Sequence, residues 1–299
     1  MPDNSFSHKA RLLEAVCLVI AGYFAYSVAD FCSKKLQDVY GVYQILAVCG
    51  IVGLIITGVW LLARHGSGAF VPHNLKMHLF RALLVLGSSN LMVKSLQTLP
   101  LADFYGITFI VPFFVMILAV VFLGERVGWR RCGAALVGFS GIIILARPQF
   151  DDISEGIVYA LLGAVCNAGN IVTLKKIGQD APLPLYGFYV FLAFTAFNLF
   201  MMEASGSYKP FEAAYLPYFL IHGPVVILAL LFISIGFAKA PEAVVVAPFQ
   251  YTQIIWGVAF GWYFFGAMPT AATWAGLAMV IGAGLYSLWR EYKIVHNMN

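Results

Sequence analysis

Charge is scarce in this chain. Only 11% of its 299 residues are Asp, Glu, Lys or Arg, while 61% are apolar, which is more apolar surface than a soluble domain of this size could bury. A soluble globular protein is excluded. The short patterns that carry catalysis are missing too: there is no His-Glu-x-x-His, no Gly-x-Ser-x-Gly and no glycine-rich phosphate loop closed by Lys-Ser/Thr. His73 and His78 are five apart beside Pro72, a poor metal spacing. The five cysteines (Cys17, Cys32, Cys49, Cys132, Cys166) form no C-x-x-C pair and read as small packing residues. The expectation is therefore a non-enzyme with no metal, no cofactor and no nucleic-acid partner.

Present in their place are long apolar runs. A hydrocarbon core of about 30 Å takes about 20 helical residues per crossing. Ten such runs can be placed, near 12–33, 41–63, 77–98, 100–123, 129–147, 156–176, 183–203, 214–238, 241–265 and 271–290. The polar lead before them lacks a signal-peptide cleavage pattern, so the first run is expected to be retained.

The runs repeat. Leu99-Pro100-Leu101-Ala102 through Phe122-Leu123-Gly124-Glu125 matches Ala240-Pro241-Glu242-Ala243 through Phe264-Phe265-Gly266-Ala267 at an offset of 141, and Lys34-Lys35 recurs as Lys175-Lys176. Five crossings is an odd number, so a second copy enters the bilayer from the opposite side. The fold class expected is an all-α integral membrane protein of ten transmembrane helices, arranged as two inverted-topology five-helix repeats. The segments are a tail over 1–11, repeats over 12–148 and 149–291, and a second tail over 292–299. Thirteen Lys and Arg residues fall on the side of the termini and five on the other, which predicts cytoplasmic termini and an inner-membrane location.

The stretch from Leu99 to Pro148, LPLADFYGITFIVPFFVMILAVVFLGERVGWRRCGAALVGFSGIIILARP, resembles the signature region of the drug/metabolite transporter superfamily in its ten-helix EamA branch. Ala243 to Arg290 is similar to that branch's other recurring stretch, with Ala247-Pro248-Phe249-Gln250-Tyr251-Thr252 opening the ninth helix. The resemblance implies transport, with S-adenosylmethionine, riboflavin and amino-acid carriers among such sequences. Two positions depart from the branch: Ala267 stands where a glutamate often follows glycine, and Lys94 stands where an aromatic or small residue is common.

Carrier sites lie near the bilayer midplane between repeats. At a rise of about 1.5 Å per residue, Asn90 and Asn167 lie about 17 Å into their helices, and Gln250 and Gln253 about 14 and 18 Å into theirs. With Asn170 they suggest a shared polar cavity, walled by Tyr23, Tyr26, Tyr105, Thr108 and Phe109. Intramembrane charge marks function by default. Tyr23, Ser27, Asp30 and Lys34 share one helix face, and Asn90, Lys94 and Gln97 share another. These faces are expected to meet, with Asp30 and Lys94 forming a gate ion pair, a clamp for a zwitterionic cargo or a structural pair.

Glu125, near Arg126, Arg130 and Arg131, is expected to latch helix ends or, less simply, to couple protons. Pro112 and Pro248 are candidate hinges or static kinks. The ladders Ala21/Ala25/Ala29, Ala160/Ala164/Ala168 and Gly257/Gly261 read as packing seams, the last also as a weak homodimer contact. The expected function is a secondary-active transporter moving a small polar or zwitterionic organic metabolite, such as an amino acid or a related nitrogenous compound of the S-adenosylmethionine kind, by alternating access. Alternatives are export of drugs or aromatic metabolites on the same fold, or a channel.

Overall fold

Inside hydrocarbon a backbone N–H or C=O finds no water, so a spanning chain closes its own hydrogen bonds as helix or barrel. A computed structural model describes residues 4–98, 107–108, 110–125, 128–129, 155–178, 181–182 and 184–265, with isolated residues between 132 and 140 and between 271 and 286. Every regular element among these residues is helical. The helices are α1 (Asn4–Gln37), α2 (Val42–His65), α3 (Leu75–Thr98), α4 (Val111–Leu123), α5 (Glu155–Ile177), α6 (Leu185–Ala204), α7 (Leu216–Lys239), α8 (Ala243–Val246) and α9 (Thr252–Phe265). Segments Arg11–Gln37, Val42–His65, Glu155–Ile177, Leu185–Ala204 and Ala213–Lys239 are long and apolar enough to cross a membrane. Helix α3 has the same 24-residue length as α2 and α7 but carries Arg81, Asn90 and Lys94. The fifth and tenth predicted crossings lie mostly outside the described residues.

One element differs from expectation. The ninth crossing is not a single helix over 241–265: short α8 gives way to a 3₁₀ turn over Ala247–Tyr251, and α9 begins only at Thr252. Pro248 is the physical cause, since it supplies no N–H and its ring crowds the preceding turn. Pro112 likewise stands at the start of α4, after a turn at Ile110. Both prolines therefore open a helical segment instead of bending the middle of one.

Three helix pairs dominate the packing: α1 against α7, α3 against α5, and α2 against α6. Glycine sets their spacing. A Cβ placed on Gly22 of α1 would lie 2.6 Å from Cγ1 and 3.1 Å from N of Ile233, and 3.2 Å from the Ala229 carbonyl oxygen of α7. A Cβ on Gly163 of α5 would lie 2.9 Å from Cγ and 3.4 Å from N of Met92, and 3.4 Å from the Ser88 carbonyl oxygen of α3. Each residue in the second contact stands 141 positions from its counterpart in the first. The α2–α6 seam maps onto itself at that offset, with Gly50 against Phe194 and Gly53 against the Phe191 ring.

The bundle has two unlike ends. At the near end, where α1 begins and α5 and α7 finish, a continuous apolar cluster joins Leu12, Val16, Val19, Val115, Ala119, Leu174, Phe237 and Val246. Polar contacts fasten it. Lys239 pairs with Glu14 across α7 and α1, Lys175 donates to the Ala240 carbonyl, and Tyr186 donates to the Gly178 carbonyl. At the far end, Gln44 of α2 both donates to the Lys209 carbonyl (2.7 Å) and accepts from its N–H (2.9 Å), which pins the loop after α6. Tyr40 reinforces that strap, accepting from the Glu212 N–H at 2.8 Å.

Candidate functional site

Between the near-end cluster and the far end lies a cavity of about 500 Å³, lined by α1, α2, α3, α5, α6, α7, the 3₁₀ turn, α9 and Thr108. Of the residues singled out from sequence, Tyr23, Tyr26, Asp30, Thr108, Asn167, Asn170, Gln250 and Gln253 line it. Tyr105 and Phe109 lie outside the described residues, as does Ala267.

Along α1 a polar ladder meets the 3₁₀ turn over Ala247–Tyr251 and the start of α9. Tyr23 Oη donates to Gln250 Oε1 at 3.5 Å, Ser27 Oγ donates to the Gln253 carbonyl at 3.3 Å, and Gln253 Nε2 donates to Asp30 Oδ2 at 2.7 Å. The 3₁₀ turn makes this register available, because it places Gln250 at the end of the turn and Gln253 in the first turn of α9. Asp30 is solvent-exposed at the edge of the cavity.

Two expectations are corrected. The Asp30 face does not meet the Asn90–Lys94 face: Lys94 stands over the Tyr159 ring at 4.8 Å and is exposed, away from the cavity. Its flexible stem can carry the ammonium outward along α5, which costs less than bringing a second charge into the bundle. The proposed Asp30–Lys94 pair is therefore absent, as gate or as clamp. Asn90 is also outside the cavity, since its Nδ2 bonds back to the Leu86 carbonyl at 3.0 Å on its own helix.

Glu125 lies at the near end, outside the cavity. Its Oε1 accepts from the Ala243 N–H at 2.8 Å, joining the end of α4 to the start of α8. This contact is to a backbone amide; Arg126, Arg130 and Arg131 lie outside the described residues. Gly124 makes the turn that aims it, in the left-handed region at φ 68°. Of the small-residue ladders, Ala160, Ala164 and Ala168 are fully buried, whereas a Cβ at Gly257 would meet nothing within 4 Å.

Sequence reasoning missed the cavity's buried cation. Arg81 is 2% exposed, lines the cavity and reaches three other helices: Nε donates to Asn170 Oδ1 on α5 at 3.0 Å, Nη1 to the Tyr186 carbonyl on α6, and Nη2 to Ser234 Oγ on α7 at 3.3 Å. It stands six residues into α3 and reads as a helix-end charge in a side count, because sequence depth says nothing about which way a side chain points. His222 was missed as well; it lines the cavity and stands 141 positions from Arg81. That offset was the one signal able to find both. Other lining pairs share it, including Tyr26 with Asn167, Val85 with Val226, and Met92 with Ile233.

A cavity lined by both apolar and polar side chains, inside a bundle of membrane-length helices and bounded at one end by an apolar cluster among the described residues, is the arrangement of a multi-pass membrane transport protein. Known proteins agree, and the chain belongs to the EamA-like transporter family, whose model matches residues 13–147, within the drug/metabolite transporter superfamily. It is 30% identical over 233 residues to a riboflavin transporter of Rhizobium johnstonii, covering 78% of this chain and 76% of that protein. It is 26% identical to an S-adenosylmethionine uptake transporter of Rickettsia felis, over 77% of each chain. It is also 26% identical to the pseudopaline exporter CntI of Pseudomonas aeruginosa, over 91% of this chain and 95% of that one. A solved crystal structure with 16% identity shares the fold, at a TM-score of 0.76 over 90% of this chain and 94% of its own. The family and these relatives are transporters, not enzymes, and transport of a small metabolite follows for this chain.

Proposed function

We propose that the protein is a secondary-active carrier that moves a small polar or zwitterionic organic metabolite across the inner membrane by alternating access. Ten helices form two inverted five-helix repeats, over 12–148 and 149–291, with short cytoplasmic tails at either end. The observation that carries this reading is the paired glycine contact, Gly22 on Ile233 and Gly163 on Met92, related by one sequence offset. The exchanged packing of α1 with α7 and α3 with α5 supports it, because a two-fold relation in the membrane plane turns one pair into the other. So does the cavity, which draws residues from both halves.

In such a carrier the near-end cluster is the closed gate and the cavity opens toward Asp30, Lys34 and Gln37. Glu125 on Ala243 and Lys175 on Ala240 hold the closed gate, and release of both accompanies opening toward the cytoplasm. Pro112 and Pro248 mark the two places where a helical segment can swing. A saturable flux with counter-transport in proteoliposomes, using a panel of amino acids, S-adenosylmethionine and riboflavin, is the expected result. Ohmic currents without saturation would replace the carrier with a channel.

A further inference from the structure

This cavity encloses a buried cation. Arg81 is fully enclosed within the membrane-length part of α3, and its three hydrogen bonds go to neutral acceptors: an amide, a backbone carbonyl and a hydroxyl. No carboxylate accepts from it among the described residues. A helix tether would need only a neutral donor here, whereas a lone buried guanidinium carries a large desolvation cost that an opposite charge offsets. Of its five N–H groups, two have no acceptor among the described residues, one on each terminal nitrogen. A carboxylate, with two acceptor oxygens, is a ligand that can take up these two donors.

Its opposite pole is Asp30. Ser234, which holds the guanidinium, follows Ile233, and Ile233 packs on Gly22 of α1. Asp30 stands eight residues further along α1, so the two charges are about 12 Å apart along the bundle axis. The poles are not duplicated: 141 positions from Arg81 is His222, and 141 positions from Asp30 is the apolar Ile171. The cavity is thus paired in position and polarised in chemistry.

Resting on the carrier reading, we infer that Arg81 is the docking point for a carboxylate of the cargo, and that the cargo is elongated, with an amine or other cationic group reaching Asp30. Chloride is too small for a cavity of about 500 Å³. A doubly charged phosphate would leave charge unmatched, since Arg81 is the one cation at this depth among the described lining residues.

The test is a binding series on the purified full-length protein, read by ligand-induced thermal stabilisation. The probes are ω-amino acids from glycine to 12-aminododecanoate, each beside its carboxamide. The acids are expected to bind at least about tenfold more tightly than their amides, with an optimum at about four to six carbons, because a contact of about 3 Å at each pole leaves about 6 Å of the axial span for the cargo itself. Arg81→Gln should erase the preference for the acid. Arg81→Lys, which keeps charge but not the planar fork, should reduce it severalfold and keeps the test open if the glutamine variant does not fold. Equal binding of acids and amides, binding of neither, or a full preference surviving either substitution would overturn the assignment. Counterflow measured on the same preparation separates the two readings. Arg81-dependent acid binding without saturable flux removes the carrier and leaves the site, whereas saturable flux without that dependence removes the site alone.

Discussion

Toward the near end α1 and α7 pack closely, the Ile233 side chain against Gly22 and the Val19 side chain against Gly236; at the far end the same two helices part around a cavity edged by Asp30, Lys34 and His222. Small residues and apolar packing seal the first region. Polar and aromatic side chains line the second, where Phe31 stacks on Phe264 at 4.6 Å and Phe24 meets Trp256 edge-on at 4.8 Å. Close packing is a discrete state, lost once helices separate by the width of a methyl group. Softer aromatic contacts yield more gradually. On the carrier reading proposed above, the seal is the element that switches as a unit, while the far end adapts to what enters.

Wedging the seal is the largest disturbance. A Cβ at Gly236 would sit 2.6 Å from Val19 Cγ2 and 2.9 Å from the Ala15 carbonyl oxygen, so Gly236→Leu should cost about 3 kcal/mol and lower the melting temperature sharply. Gly22→Ala and Gly163→Ala should each cost about 1–3 kcal/mol, by similar amounts, whereas Gly257→Ala should leave the melting curve unchanged. Unequal losses at Gly22 and Gly163 would weaken the paired-repeat reading.

Unfastening the seal comes next. Glu125→Ala leaves the Ala243 N–H without its charged acceptor, a loss of about 1.5–3 kcal/mol, and should expose near-end positions to labelling without changing cargo affinity. At the other pole, Asp30→Asn should weaken binding of an amine-bearing cargo about tenfold, or about 1.4 kcal/mol, while leaving the melting temperature close to wild type. Lys94→Ala is the smallest change. It removes one exposed cation–π contact with Tyr159, worth about 0.5–1 kcal/mol, and should leave transport at the wild-type rate.

Much of this division was legible before any coordinates. Apolar run lengths placed α1, α2, α3, α5, α6 and α7 to within a few residues at most ends, because a membrane helix must satisfy its own backbone and the bilayer fixes its span. The 3₁₀ turn at Ala247–Tyr251 was not legible: Pro248 announces a disturbance but not whether the helix bends or breaks. Among site residues, Tyr23, Asp30 and Gln253 could be named from helical spacing and depth. Their partners could not, since Asp30 bonds to Gln253 instead of Lys94 through the way α1 packs on α9. Arg81 illustrates the deeper limit, because its importance lies in direction and burial, which only packing sets.

The most direct test compares the two ends in one experiment. In a background with the native cysteines replaced, Gln37→Cys at the cavity mouth and Ala240→Cys in the seal would each be reacted with a membrane-impermeant maleimide, in vesicles of both orientations. An alternating carrier in this state labels at position 37 from one side and is protected at 240 from the other, and saturating transported substrate raises labelling at 240 while lowering it at 37. Equal labelling at both positions, or labelling that substrate leaves unchanged at both, would contradict it.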